Sequence, residues 1–64
     1  MFKIITVYLD QDGNDENEEI QFRDTLAEAR KLLIAECKWD TTLYGHIYDA
    51  ETDQELDQRF SEQA

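Results

Sequence analysis

Little in this 64-residue chain supplies the usual apparatus of chemistry. Cysteine, histidine and serine occur once each, as Cys37, His46 and Ser61; glycine occurs twice, as Gly13 and Gly45; proline is absent. A single cysteine rules out an internal disulfide, points to a reducing compartment, and suits Cys37 to a place in the core. One Cys and one His fall short of a zinc ligand set. A Ser-His-Asp hydrolase needs an ordered nucleophile, and Ser61 falls in residues 61–64, where a disordered tail is expected. Two scattered glycines make no phosphate-cradling loop. A chain of this length also has little volume for a substrate pocket. No enzymatic activity, cofactor or metal is therefore expected.

Positive charge is scarce as well. Six Lys and Arg face sixteen Asp and Glu, a net charge of −10. That balance argues against binding a nucleic acid backbone, which requires cations to displace counterions. It argues equally against an anionic membrane surface, and it permits steering toward a basic protein. No apolar run approaches the roughly 20 residues that span a bilayer. Met1 to Leu9 lacks the apolar stretch and cleavage site of a signal peptide, so a cytoplasmic location is expected. Acidic chains poor in aromatics are usually disordered, but this one has seven aromatics and patterned apolar residues, and it reads as folded.

The most regular stretch is Thr25 to Lys38, which predicts a helix. Thr25 and Glu28 form a T-x-x-E capping box. Asp24 and Glu28 suit the positive end of the helix dipole, Lys38 the negative end. No Gly or Pro interrupts the interior. Leu26, Ala29, Leu33 and Cys37 form an inner stripe, flanked by Leu32 and Ile34. Arg30, Lys31 and Lys38 face outward.

Around it lie short strands. Phe2 to Leu9 is rich in β-branched and aromatic residues. Both its faces are apolar, the mark of a central strand that is either covered on both sides or left open on one for a partner. Glu18 to Arg23 predicts a second strand, hairpin-paired across the acidic turn from Asp10 to Glu19. That turn resembles a calcium loop only superficially, because Gly13 is two places early and Gln21 stands where a bidentate Glu belongs. Leu43 to Asp49 predicts a third strand, with Tyr44, His46 and Tyr48 on one side and Leu43, Gly45 and Ile47 on the other. Glu55 to Phe60 fits a strand or a helix, the strand completing a second hairpin. Residues 1–60 then form a single α+β domain, a two-layer ββαββ arrangement with an antiparallel sheet and one helix on one face. The helix stripe is expected to pack on Ile5, Val7, Ile20, Phe22 and Ile47.

Two features are candidates for function. One is acid: Asp10, Asp12, Asp15, Glu16, Glu18 and Glu19 form a first block. Asp49, Glu51, Asp53, Glu55 and Asp57 form a second, at every other residue. In extended chain, that alternation places carboxylates about 6.6 Å apart on one side, of the order of phosphate spacing along a nucleic acid strand, although a turn near Glu51 to Asp53 would break the line. Solubility and protection of sheet edges are the plainer explanation. The other feature is aromatic: with Ile5, Val7 and Leu9 under the helix, Phe2, Ile4, Tyr8, Tyr44, His46 and Tyr48 would line the opposite face, suited to a protein partner or a self-dimer. Trp39 is either a core plug or a binding anchor, and the core is the expectation.

A strand, an acidic turn, the helix opening DTLAEARKLL and the hairpin-like YGHIYDAETDQEL together resemble small acidic proteins of bacteriophages and mobile elements, anti-CRISPR and other host-defence inhibitors among them. The resemblance implies an inhibitor that binds a host protein, often on a nucleic-acid-binding surface, and carries over no functional residue. The expected function is therefore a non-enzymatic inhibitor or modulator. Its acidic, partly nucleic-acid-mimicking face would bind a basic host protein such as a nuclease, without binding nucleic acid or membrane itself. The alternative is a structural module that dimerises through its aromatic face.

Overall fold

The computed structural model describes residues 1–10 and 12–61. The elements run β1 (Phe2–Leu9), β2 (Glu16–Arg23), α1 (Leu26–Glu36), β3 (Thr42–Asp49) and β4 (Glu55–Phe60). The sheet is antiparallel with strand order β2-β1-β3-β4, and α1 packs on one side of it. The expected ββαββ two-layer fold is thus observed, with β4 as a strand. β2 and β3 are both antiparallel to β1 and flank it, so the helix carries the chain across the central strand. The two hairpin turns lie at opposite ends of the sheet, because Leu9 pairs with Glu16 while Phe2 pairs with Asp49.

The helix begins where the sequence says. Thr25 is the N-cap, and its Oγ1 accepts from the Glu28 N–H at 3.1 Å. The same hydroxyl donates to the Glu28 carboxylate at 3.0 Å, so the acid reaches back to the side chain of the cap. The helix ends at Glu36, two residues short of the expected Lys38. Cys37 caps it, its N–H directed at the Leu33 and Ala35 carbonyls, and no basic residue occupies the last turn.

The helix covers the opposite face of β1 from the one expected. Ile4, Ala29, Leu33, Cys37 and Ile47 form the core, with Phe2, Leu26 and Leu32 packed against it. The register explains the placement. Ile4 pairs with Ile47, and Thr6 pairs with Gly45, on the helix side. A Cβ on Gly45 would run into Leu33 Cδ1 and approach Thr6 Cγ2 to 3.1 Å. The absent side chain at Gly45 makes room for Leu33, and the small Thr6 lies beside it. The other side of the sheet, carrying Tyr44, His46, Tyr48, Ile20 and Phe22, is too bulky for so close an approach. Ile5, Val7, Ile20 and Phe22 are therefore not under the helix; Val7 is buried on the other side, and Ile20 and Phe22 are about half exposed, at 52% and 48%.

Two bulges adjust the ladders, one at Val7/Tyr8 where Leu43 is the extra residue, one at Ile47/Tyr48 where Leu56 is. In the β3–β4 turn, Asp49 Oδ1 accepts from the Glu51 N–H at 2.8 Å, and Asp53 takes φ 60°. Asp53 thus adopts the left-handed conformation glycine would take, and the hairpin forms without one. Thr52 Oγ1 accepts from the Gln54 N–H within the same turn. Ser61 belongs to the fold: its N–H donates to the Leu43 carbonyl at 3.0 Å and the residue is buried, so the expected tail cannot include it. The rest of that tail, 62–64, lies outside the described residues.

The two faces of the sheet should answer differently to truncation. I4A and L33A should each lower stability by about 2–5 kcal/mol, a large share of what so small a domain has. I20A and F22A should each cost less than about 1 kcal/mol, as expected of exposed positions. G45A should cost about 1–3 kcal/mol through overpacking against Leu33. Urea titrations of the five variants test the assignment; equal losses at Ile4 and Phe22 would refute it.

Candidate protein-interaction surface

One helix cannot cover two faces of a four-stranded sheet, and the second face is open. Paired residues in the ladder project to the same side, which places Lys3, Ile5 and Val7 of β1 with Phe22, Ile20 and Glu18 of β2 and with Tyr48, His46 and Tyr44 of β3. Gln58 and Phe60 of β4 join them opposite His46 and Tyr44. Ring contacts confirm the row. Tyr44 meets His46 edge-on at 5.4 Å and Phe60 at 6.3 Å; His46 meets Tyr48 at 6.0 Å. Lys3 Nζ lies 5.5 Å from the Tyr48 ring centroid. His46 Nδ1 is hydrogen-bonded to the Glu55 carboxylate, which orients the imidazole in the middle of the aromatic row.

Tyr44 and Tyr48 are on this face as expected, but Tyr8, Phe2 and Ile4 are not. Tyr8 sits on the helix side, beside Glu19, Glu36, Trp39, Thr41 and Thr42. The side assignments follow from one pairing, and with Ile4 under the helix, Tyr8 must follow it. Ile20 and Phe22, expected under the helix, are surface residues here, and so is Phe60. Their signal was present: in β2, Ile20 and Phe22 are the apolar residues of an otherwise polar edge strand.

The carboxylates divide by what they do. In the second block, Asp49 holds the turn. Asp53 pairs with Lys3 at 3.3 Å, Glu55 with His46, and Asp57 with Arg30 at 3.1 Å. The bulge at Leu56 puts Glu55 opposite Tyr48 on the open side and Asp57 opposite Ile47 on the helix side. The alternation seen in sequence therefore does not become a row on one face; Glu51 remains exposed in the turn. In the first block, Asp10 accepts from the Asn14 N–H at 3.1 Å and shapes the turn with the positive-φ Gly13. Asp12, Asp15, Glu16, Glu18 and Glu19 are exposed and form no ion pair among the described residues. Glu16 and Glu18 pair with Leu9 and Val7 and so border the open face, while Glu19 pairs with Thr6 on the helix side.

The face thus has an apolar and aromatic centre with acid at both ends. One end carries Glu16, Glu18 and the adjoining turn; the other carries Glu55 and Asp53. Among the described residues, no group of three or more His, Cys, Asp or Glu side chains is arranged to hold a metal ion. No helix among them is long and apolar enough to cross a membrane. Comparisons with protein-family models, curated proteins and solved structures returned no match.

The division of labour among the acids has a measurable consequence. Replacing Asp12, Asp15, Glu16 and Glu18 together by Asn and Gln should leave the thermal midpoint unchanged or raise it, since it relieves like-charge repulsion. D53G should stabilise by about 1 kcal/mol, because glycine meets no penalty at positive φ and the exposed pair with Lys3 contributes little. A lowered midpoint in both variants would show that these acids hold the fold together.

Proposed function

We propose that this chain is a non-enzymatic interaction module, an inhibitor or modulator that docks its open sheet face on a basic surface of a larger protein. The observation that carries the reading is the uncovered face itself: Ile5, Ile20, Phe22, Tyr44, Tyr48 and Phe60 side by side, with carboxylates at both ends. Aromatic residues in such a patch supply contact area with little rotamer entropy to lose. The flanking acids suit a partner whose apolar centre is rimmed by Lys and Arg. A nucleic-acid-binding protein of the host, such as a nuclease, has that chemistry. The resemblance to phage-borne defence inhibitors supports the same partner class, and the cytoplasm is where such a partner would be met. With most of the second acidic block engaged within the molecule, the first block is the one we assign to steering.

A second reading rests on the same patch: two copies could bury it against each other. A charge of −10 on each copy opposes that association, and so we rank it second.

The test is capture from a bacterial lysate on immobilised chain, eluted by a salt step, with three baits. The parent should retain a basic protein released by salt. F22S/Y44S should lose it, while the four-fold neutralised chain should associate more slowly and with a flatter salt dependence. Retention of the same protein by all three baits would sink the proposal. Sedimentation of the parent should show a monomer; a dimer dispersed by F22S/Y44S would establish the second reading instead.

A further inference from the structure

The outer surface of α1 and the turn after it carry two lysines beside exposed apolar residues, in a molecule that is otherwise acidic. Lys31, Ile34, Ala35 and Lys38 succeed one another at i, i+3, i+4 and i+7, a spacing that aligns them along one stripe. Trp39 closes the end of that stripe, and the five line a shallow, open groove of about 570 Å³. Trp39, the only tryptophan, is 65% exposed, and Ile34 is 38% exposed. Trp39 is therefore not the core plug expected; the core at this end of the helix is closed by Cys37, whose Sγ donates to the Arg59 carbonyl at 3.7 Å. The chain turns at that cysteine, and the indole is left outside.

The charge of the cleft is as unusual as its tryptophan. Among the basic side chains, Lys3 pairs with Asp53, Arg30 with Asp57, and Arg23 donates to the Phe22 carbonyl. Lys31 and Lys38 make no ion pair among the described residues, in a chain with sixteen acids. The nearby helix acids face elsewhere: Glu28 takes the Thr25 hydroxyl, and Glu36 accepts from Gln21 on β2.

We propose that this cleft is a second binding site, for a short acidic peptide segment of a partner protein. An aliphatic or aromatic side chain of that segment lies between Ile34 and Trp39, and flanking carboxylates meet Lys31 and Lys38. Tryptophan and an adjacent aliphatic residue provide the desolvated anchor that dominates peptide affinity. The two ammonium groups select the sign of the flanks. At physiological salt, charges beyond about 8 Å are largely screened, so the acids of the sheet edges and turns bear little on a short peptide; the exposed Asp40 after Trp39 and Glu28 one turn before Lys31 bound the positive stretch to Lys31 and Lys38. An extended polyanion such as single-stranded nucleic acid would run out over those acids. The site lies on the opposite side of the molecule from the open sheet face and does not depend on its proposed role.

Selection from a random-peptide display library on the folded chain tests this without prior choice of ligand. The expected winners are net acidic with one large apolar residue. A synthetic winner should shift Trp39 emission saturably, and K31E/K38E should weaken it by about tenfold or more. I34S, a milder change at an exposed position, should weaken it through the anchor while circular dichroism stays unchanged. Winners that are basic, an absence of winners, or affinity unchanged in both K31E/K38E and I34S would overturn the proposal. So would a single-stranded oligonucleotide that displaces the peptide and loses affinity in K31E/K38E.

Discussion

The contact between Leu33 and the gap left at Gly45 sets the geometry of this molecule. A single helix stripe must bury itself on a sheet, and close packing needs a place where the backbones can approach. Gly45 provides that place, with the small Thr6 beside it on the central strand and Ile4 and Ile47 completing the floor. Once Leu33 sits there, alternation fixes every other side chain in the sheet. Thr6 is carried under the helix, and Tyr44, His46 and Tyr48 are carried away from it.

The second consequence is a shortage of cover. One eleven-residue helix shields one face of four strands, and the opposite face keeps Ile20, Phe22 and Phe60 exposed around a buried Val7 and half-buried Ile5, Tyr44 and Tyr48. An uncovered apolar face invites aggregation, and the edge strands carry the countermeasure. β2 presents Glu16, Glu18 and Glu19, and β4 presents Glu55 and Asp57, charges that oppose strand-to-strand addition. Acid therefore has two uses here. It protects the edges, and where it borders the open face it sets the sign of the surface that approaches. The mimicry of a phosphate row suggested by the second acidic block finds no continuous row in the fold, because a turn and a bulge intervene and Asp53, Asp57 and Glu55 are engaged by Lys3, Arg30 and His46.

The molecule carries two surfaces of contrasting chemistry on opposite sides. The sheet face is aromatic and bordered by carboxylates; the helix cleft is aromatic and bordered by lysines. In so small a domain the core needs few residues, and among the apolar residues left at the surface are Ile20, Phe22 and Phe60 on the sheet face and Ile34 and Trp39 at the helix cleft.

Sequence alone determined the order of the elements and the type of all but the last, because local signals sufficed there: a capping box, an uninterrupted apolar stripe, and β-branched runs punctuated by acidic turns; Glu55 to Phe60 fitted either a strand or a helix until its pairing with β3 settled it. It also determined the charge and the scarcity of catalytic side chains. It could not determine which face of β1 lies under the helix, since Phe2, Ile4 and Thr6 alternate with Ile5, Val7 and Leu9 and either set could form a core. Gly45 held the answer, but a glycine marks close approach only once its partner across the layers is known. Nor could it place Trp39, a bulky apolar residue next to a helix end; the turn at Cys37 turned it outward. The tertiary structure decided these points because face selection depends on register and interlayer distance, which arise between segments and are encoded in none of them singly.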